Sequence, residues 1–277
     1  MRHSRARFSL LSLGVLLLSL SRASADLAAL LPEIGSLEHW SVFTLGASAQ
    51  KNEIAGTAYV DGEVGIAGMA HIALDGNSTI DGDLFYRSNG AVRTSPGAVI
   101  TGAQINNQDA QLDSDMEAAL AASRNAARLD RTVTGPNDVQ LRGAQALTVS
   151  GAPGESVVLK LDSFTLRGNS TFTLEGTATT TFIINVSRQF ALRGNAQVVL
   201  SGGLQWNNVL FNVTGTRGAV SLRGSANFSG VILASRRTVQ LAGNANVTGT
   251  VIANRVSFNN SGFNGNATVG HPPLVSP

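Results

Sequence analysis

A short phrase of alternating residues recurs in the second half of this 277-residue chain. In the copy LRGNAQVVLSG, residues 196, 198 and 200 fall on one face of an extended strand, and residues 197, 199 and 201 fall on the other. The copies begin at Leu141, Leu166, Leu192, Leu222 and Leu241. Gly and Asn before each strand supply turn conformations. The shortest spacing, 19 residues, predicts a β-solenoid with three short strands in each coil.

The segment that begins at Asn52 follows a similar pattern. Its short apolar strands are separated by Asp-Gly pairs at positions 61–62, 75–76 and 81–82, which are typical turn residues. We therefore expect the first and second halves of the chain to be built from the same kind of coil.

One stretch has a different period. The segment QINNQDAQLDSDMEAALAASRNAARL, from Gln104, contains neither Gly nor Pro. Helical spacing places one set of its residues on a single side: Ile105, Leu112, Met116, Ala119, Leu120, Ser123 and Ala127. The pattern predicts one long amphipathic helix over residues 106–129 that packs on the solenoid, and Gly135-Pro136 blocks any continuation.

The N-terminus predicts a secretory signal peptide over residues 1–25. Three arginines precede an apolar run from Phe8 to Leu20, which is too short to cross a membrane, and Ala23-Ser24-Ala25 is typical of a cleavage site. Cleavage removes four arginines and no acid, so the net charge changes from +2 to −2. This weakens the case for a nucleic-acid partner, and membrane contact is expected only through the signal peptide before cleavage.

The mature chain has no cysteine, so burial and backbone hydrogen bonds must stabilise it without disulfides. We expect one domain over residues 26–270, followed by a short tail over residues 271–277.

Two groups of segments resemble the bacterial choice-of-anchor A domain. WSVFTLGASAQKNEIAGTAYVDGEVGIAGMA, from Trp40, is similar to its opening, and TTTFIINVS, NNVLFNV, GVILASRRTV and TGTVIANRVSFNNSGFNG are similar to its closing coils. That family has an ice-binding-like adhesive fold. The resemblance implies a β-solenoid of roughly triangular section with one long helix against a face. It also implies that N- and C-terminal segments share the solenoid, and that the protein is a secreted or cell-surface adhesive module.

No residue pattern indicates a catalytic, cofactor or metal site. The mature histidines His39, His71 and His271 lack partners at metal spacing, and no nucleophile or nucleotide-binding motif occurs. Five acids cluster in the N-terminal coils: Asp61, Glu63, Asp75, Asp81 and Asp83. A catalytic carboxylate pair or a Ca²⁺ site would need such residues. Three of the five precede Gly in turns, which favours a structural role.

Two tryptophans leave sugar binding open. Trp40 and Trp206 could stack on sugar rings. Their positions instead favour structural roles, with Trp40 beginning the first coil and Trp206 covering an edge of the solenoid.

The repeated phrase predicts a row of arginines. If its Leu points inward, the next residue points outward, which places Arg142, Arg167, Arg193 and Arg223 on one outer face, with Ala242 ending the row. Either acids on neighbouring strands neutralise this row and the side-chain stems cover apolar surface, or the row binds an acidic partner. That partner would be an anionic polysaccharide or the extracellular matrix.

These observations favour a secreted or cell-surface, non-enzymatic adhesive or structural protein. The alternatives are an ice-binding protein and, third, a polysaccharide-active β-helix enzyme. Ice-binding solenoids use flat, uncharged, Thr-rich ladders, whereas the Thr-rich run over residues 177–181 is a single local cluster. We therefore expect weak or absent ice activity, and no cofactor.

Overall fold

The computed structural model describes residues 37–46, 51–69, 71–259 and the backbone of 262–263. The predicted signal peptide and C-terminal tail lie outside these residues. The strands, in chain order, are β1 (Trp40–Thr44), β2 (Asn52–Ala55), β3 (Tyr59–Asp61), β4 (Glu63–Ile66), β5 (Ile72–Leu74), β6 (Thr79–Asp81), β7 (Leu84–Tyr86), β8 (Val92–Thr94), β9 (Val99–Ile100), β10 (Gln104–Ile105), β11 (Asp138–Leu141), β12 (Ala146–Ser150), β13 (Ser156–Gly168), β14 (Thr171–Glu175), β15 (Thr181–Gly194), β16 (Gln197–Ser201), β17 (Val209–Val213), β18 (Val220–Gly224), β19 (Asn227–Ser229), β20 (Val231–Gly243), β21 (Asn246–Thr248), β22 (Val251–Asn259) and β23 (Gly262–Phe263). One α-helix, α1 (Asp109–Arg128), lies between β10 and β11, and a 3-10 helix (Trp206–Asn208) precedes β17.

Parallel pairing stacks these strands into coils with three faces. The helix face contains β10, β7, β4, β1 and β17, with the first halves of β22, β20, β15 and β13. The arginine face contains β8, β5, β2, β18 and β11, with the second halves of the same four long strands. The third face contains β12, β14, β16, β19 and β21, followed by β23, β3, β6 and β9. The predicted β-solenoid with one long helix is confirmed.

The first strand of the described residues and a strand close to their end, β22, meet in the middle of the stack. Strand β1 pairs with β4 on one side and with β22 on the other, with Val42 opposite both Val64 and Val251. The N-terminal coils therefore extend one way from this junction and the C-terminal coils extend the other way. This confirms that both segments build one solenoid.

The interior of the C-terminal coils contains stacked phenylalanines. Phe164, Phe190, Phe211 and Phe228 come from three successive coils and are buried, with neighbouring ring centroids 5.0 to 6.0 Å apart. Offset and edge-to-face contacts of this kind add to the hydrophobic stabilisation. A core of this kind accounts for how a chain without cysteine holds its coils together.

Helix α1 returns the chain from one end of the stack to the other. Strand β10 lies at one end of the main sheet and β11 at the other. The helix has 20 residues and spans about 30 Å, and short flanking segments complete the crossing. It begins three residues later than predicted, because Asn107 has a left-handed backbone conformation (φ 63°) that interrupts a helix.

The buried side of α1 differs in part from the predicted stripe. Leu112, Ala119 and Ser123 are buried as predicted, and Asp115, Ala122 and Ala126 are also buried. Ile105 belongs to β10, while Met116, Leu120 and Ala127 are only half-buried. Apart from Leu112, the buried positions of the helix carry small or polar side chains.

Two asparagines connect the helix to the sheet. Asn185 and Asn212 lie opposite each other on β15 and β17, and the Asn212 amide donates to the Asn185 side-chain oxygen at 2.8 Å. Asn212 also donates to the carbonyl of Ser123 at 2.9 Å and accepts from its hydroxyl at 2.8 Å, while Asn185 donates to the carbonyl of Ala126 at 2.7 Å. This buried network fixes the position of the helix along the solenoid.

Candidate functional site

The predicted row of arginines is present on the arginine face. Four of the five leucines of the phrase are buried and Leu141 is half-buried, while the arginine that follows the leucine in four of the copies is exposed. Arg167 pairs with Arg193, which pairs with Arg223, so three guanidinium groups come from the same position of successive coils. Arg142 follows in the next coil, because Leu141 pairs with Leu166. Ala242 lies opposite Arg223 and ends the row.

The glycine after each arginine fixes the corner at which the row lies. Gly168, Gly194 and Gly224 have φ values of 74°, 77° and 80°. They stack so closely that a Cβ on Gly224 would lie 3.0 Å from the backbone oxygen of Gly194. Glycine is required for both reasons. Just beyond this corner, the amide of Asn195 donates to the side-chain oxygen of Asn169 at 3.0 Å, so this pair of phrase asparagines is hydrogen-bonded along the stack.

The row is not neutralised by acids. Within the described residues, no carboxylate lies within 4.0 Å of the guanidinium groups of Arg142, Arg167, Arg193 or Arg223. The side chain of Arg223 donates instead to Ser221 and Gln240, at 3.0 and 3.1 Å. Neighbouring parallel strands lie about 4.8 Å apart, where like charges in water repel by about 1 kcal/mol. The ion pairs that one of the two open interpretations requires are therefore absent from the described residues, and the row is a concentrated positive charge.

More arginines lie where the coils bend between the helix face and the arginine face. Strand β15 has one residue more than β13 at this bend, and β20 has two residues more than β22. Between them, β17 and β18 are separated by the bend loop, residues 214–219. Each departure from regular pairing contains arginine: Arg188 in β15, Arg217 in the bend loop, and Arg236 with Arg237 in β20. Bulges of this kind redirect side chains.

These departures form an open cleft beside the row, with a volume of about 970 Å³. Five arginines line this arginine cleft: Arg188, Arg193, Arg217, Arg223 and Arg237. The remaining lining residues are small or uncharged polar residues, and among the described residues that line it none is acidic or aromatic. Arg193 and Arg223 belong to both the row and the cleft, so the two form one continuous positive surface.

Arg237 supports the cleft from below. Its side chain is only 3% exposed, and its guanidinium donates to the carbonyls of Gly215, Arg188 and Ser187. Burial lowers the pKa of this guanidinium from its ordinary value, yet arginine stays charged at any physiological pH. A buried positive charge therefore lies beneath a cleft whose rim is also positive.

Sequence reasoning did not find the cleft arginines. Arg188, Arg217 and Arg237 lie outside the repeated phrase, in the segments SRQ, TRG and SRR. For Arg188 and Arg217 the signal was the spacing between copies of the phrase, because they lie in intervals longer than 19 residues. Arg237 lies in the 19-residue interval between Leu222 and Leu241, so the spacing gave no signal for it.

Three of the five acidic residues that the sequence singled out have structural roles as hydrogen-bond or ion-pair partners: Asp75, Asp81 and Asp83. Asp81 accepts hydrogen bonds from Tyr59 at 2.6 Å and Thr101 at 2.7 Å, which lowers its pKa. The same contact with Asp81 raises the pKa of Tyr59 to about 12. Asp83 accepts from the backbone of Ala103, and Asp75 forms an ion pair with Lys51. No group of three potential metal ligands occurs among the described residues.

Trp40 begins the first coil, as predicted, and is buried beneath the helix. Its indole nitrogen donates to Asp115 at 3.0 Å, and its ring contacts Phe43 and Phe85. With 2% exposure it has no free face for a sugar. Trp206 is half-buried against the apolar residues between the helix and the sheet.

The third face has a different chemistry. Across β12, β14, β16, β19 and β21, one outward column contains Ala146, Thr171, Gln197, Asn227 and Asn246. The neighbouring column contains Thr148, Thr173, Val199, Ser229 and Thr248, each at the same position of the repeated phrase. These two columns carry no charge. The Thr-rich ladder that the sequence did not reveal as a recurring motif is therefore present in part on this face.

A family model described as an ice-binding-like adhesive domain matches residues 33–265. No curated protein matches the sequence. Solved structures with a similar fold include an ice-binding protein from the Antarctic ascomycete Antarctomyces psychrotrophicus (TM-score 0.52, 17% identity), covering 83% of this chain and 95% of that chain. An ice-binding protein from an Antarctic biological consortium covers 90% and 95% (TM-score 0.51, 18% identity). The DUF3494 domain of ice-binding protein 1 from Shewanella frigidimarina covers 83% and 95% (TM-score 0.50, 16% identity).

None of the helices among the described residues is both long and apolar enough to cross a membrane.

Proposed function

The chain belongs to the ice-binding-like adhesive domain family, of the choice-of-anchor A type, and we propose that it is a non-enzymatic adhesive domain that binds an anionic polysaccharide. The arginine row is the binding surface in this proposal. The N-terminal segment, which has the features of a secretory signal peptide, supports a secreted or cell-surface location.

One observation carries the proposal: four arginines stack in successive coils without a carboxylate partner. Holding like charges about 5 Å apart costs free energy, and a bound anion removes that cost. The guanidinium group is planar and matches carboxylate and sulfate with two parallel hydrogen bonds. A rigid row engages several such groups at once, which raises the overall affinity without strong single contacts.

A long polysaccharide fits this surface better than a compact ligand. The row runs along the solenoid axis across four coils, so its partner must present negative charges repeatedly in one direction. The negative net charge of the mature chain disfavours general adhesion to nucleic acid. An acidic matrix protein is the competing partner, and a purified polysaccharide distinguishes the two.

The test is retention of the mature protein on a polyuronate or sulfated-glycan column at low and high salt. We expect retention that weakens as salt rises and that is lost when Arg167, Arg193 and Arg223 are changed together to Ser. Changing the exposed helix arginines Arg124 and Arg128 to Gln is the matched control and should have little effect. If the triple variant is folded but is retained as strongly as the unchanged protein, the proposal is wrong.

Ice binding is the second candidate, and the third face is the observation that favours it. Its two uncharged columns, which contain Thr148, Thr171, Thr173 and Thr248, lie on a regular parallel sheet. Flat, uncharged ladders of this kind are what ice-binding solenoids use, and the structural neighbours described above are ice-binding proteins by name. The expectation of weak ice activity was based on the Thr-rich run over residues 177–181 as a single local cluster, whereas the two columns of the third face recur from coil to coil.

Thermal hysteresis and ice-crystal shape test this second candidate. If the third face binds ice, the purified protein shapes ice crystals, and changing Thr173 and Thr248 to Tyr abolishes the effect by disrupting the flat surface. The arginine variants should not alter it. Absence of ice shaping in the unchanged protein would exclude the candidate.

A further inference from the structure

The arginine cleft differs from the row in shape, and this difference points to a separate role. The row lies along an outer corner of the solenoid, whereas the cleft is a concavity of about 970 Å³. Sites of this size hold small ligands or short oligomers. We propose that the cleft is a subsite for one acidic sugar unit, bearing a carboxylate or a sulfate. This inference rests on the proposed function, because it assigns the cleft to one unit of the polysaccharide that the row binds.

The composition of the cleft indicates the chemistry of its ligand. Five guanidinium groups line it, and the remaining lining includes Ser187, Gln189, Thr216, Ser221 and Gln240. Hydroxyl and amide groups suit a ligand rich in hydroxyls, and the arginines suit its negative group. The absence of aromatic and large aliphatic side chains from the described lining argues against a hydrophobic ligand.

The bend loop is held in place without a ligand. Arg237 donates to the carbonyl of Gly215 at 2.6 Å and also to the carbonyls of Ser187 and Arg188. It therefore ties the loop to the neighbouring coil. The fit is close, because a Cβ on Gly215 would lie 2.0 Å from the Ser187 oxygen and 2.3 Å from the Arg237 guanidinium. Because this wall of the cleft is already fixed, binding a ligand costs less conformational entropy.

Three guanidinium groups remain for the ligand at the edge of the cleft. Arg188 and Arg217 are exposed and form no ion pair within the described part of the chain, and Arg193 connects the cleft to the row. One acid lies close to this site: Asp162 accepts a hydrogen bond from Ser187 at 2.9 Å. The negative charge of Asp162 repels an anion in the cleft. Changing Asp162 to Asn should therefore increase the affinity for an acidic sugar.

The test uses a hexuronate disaccharide, its sulfated counterpart and its carboxyl-reduced neutral counterpart, with binding measured by calorimetry or NMR titration. We expect the mature protein to bind one or both acidic disaccharides, and the neutral one not at all. Comparing the two acidic ligands decides whether carboxylate or sulfate is preferred. Changing Arg188 and Arg217 to Ser should weaken binding by about tenfold or more, whereas changing Asp162 to Asn should strengthen it.

Row variants distinguish this inference from the proposed function. Changing Arg142 and Arg167 to Ser removes row arginines outside the cleft, so it should weaken retention of the long polysaccharide and leave disaccharide binding unchanged. If no acidic disaccharide binds but the polysaccharide still does, the cleft inference is wrong and the row stands. If an acidic disaccharide binds but changing Arg142 and Arg167 leaves polysaccharide retention unchanged, the row proposal is wrong and the cleft inference is supported. Equal binding of the neutral disaccharide would also overturn the cleft inference.

Discussion

The buried asparagine network predicts that a single side chain controls how firmly the helix is attached. Asn212 is fully buried and forms three hydrogen bonds, two to Ser123 and one to Asn185. Changing Asn212 to Ala removes all three and leaves the Ser123 hydroxyl and the Asn185 oxygen without these buried partners.

The expected loss of stability follows from these contacts. A hydrogen bond contributes about 1 kcal/mol net, and a buried polar group without its partner costs about 1–3 kcal/mol. We expect a total loss of about 3 kcal/mol, a large fraction of the 5–15 kcal/mol typical of folded domains. For a domain of this size, that corresponds to a fall in Tm of about 6–12 °C.

Denaturant and thermal unfolding followed by circular dichroism measure this loss. Asn227 is the matched control, because it lies exposed on the third face and its side chain donates only to the nearby Ser225 carbonyl. Asn227→Ala should change the free energy of unfolding by less than about 0.5 kcal/mol. If Asn212→Ala is no more destabilising than this control, the network does not stabilise the helix contact and the reasoning is refuted.

Three further predictions concern the cleft, pH and the core. Arg237→Lys should destabilise the protein by about 2–4 kcal/mol, because lysine keeps the charge but cannot bridge three carbonyls, whereas Arg236→Lys at the exposed neighbouring position should be neutral in the same unfolding assay. Tyr59 should titrate near pH 12 by ultraviolet absorbance. Because its pKa is higher in the folded state than its ordinary value of 10.0, the stabilisation from its contact with Asp81 is present below pH 10 and lost as pH rises towards 12; a Tyr59→Phe protein that keeps the same alkaline stability profile would contradict this. Phe211→Ala should cost about 3–5 kcal/mol, measured by denaturant unfolding, because its ring packs against three other phenylalanines.

The sequence predicts the coil because the repeated phrase contains its own geometry. An inward Leu, an outward Arg and a Gly with positive φ recur in order, so the register of Arg167, Arg193 and Arg223 follows from aligning the copies. The helix is predictable from a different signal, because the spacing of its apolar residues changes to that of a helix and its segment contains neither Gly nor Pro.

The remaining features depend on which coils become neighbours. The order of the stack places β1 against β22, and short-range periodicity does not contain that information. The cleft arises where a bulge in β15, the bend loop and a bulge in β20 coincide, and each looks like an irregular interruption of the repeat in the sequence. The Thr148 column was present in the aligned copies, but only a three-faced solenoid shows that it lies away from the arginines.

The central claim is that the positive charge of the arginine row, and not the two uncharged columns of the third face, holds an anionic polysaccharide. The most direct measurement is the dissociation constant for one purified polyuronate at several salt concentrations. Three variants are compared with the unchanged protein: Arg167, Arg193 and Arg223 together changed to Ser, the same three changed to Lys, and the third-face pair Thr173 and Thr248 changed to Ala. We predict salt-sensitive binding by the unchanged protein, nearly complete loss with Ser, partial retention with Lys, and no change for the third-face variant. Binding that survives the Ser substitutions but is lost with the third-face variant would contradict the account.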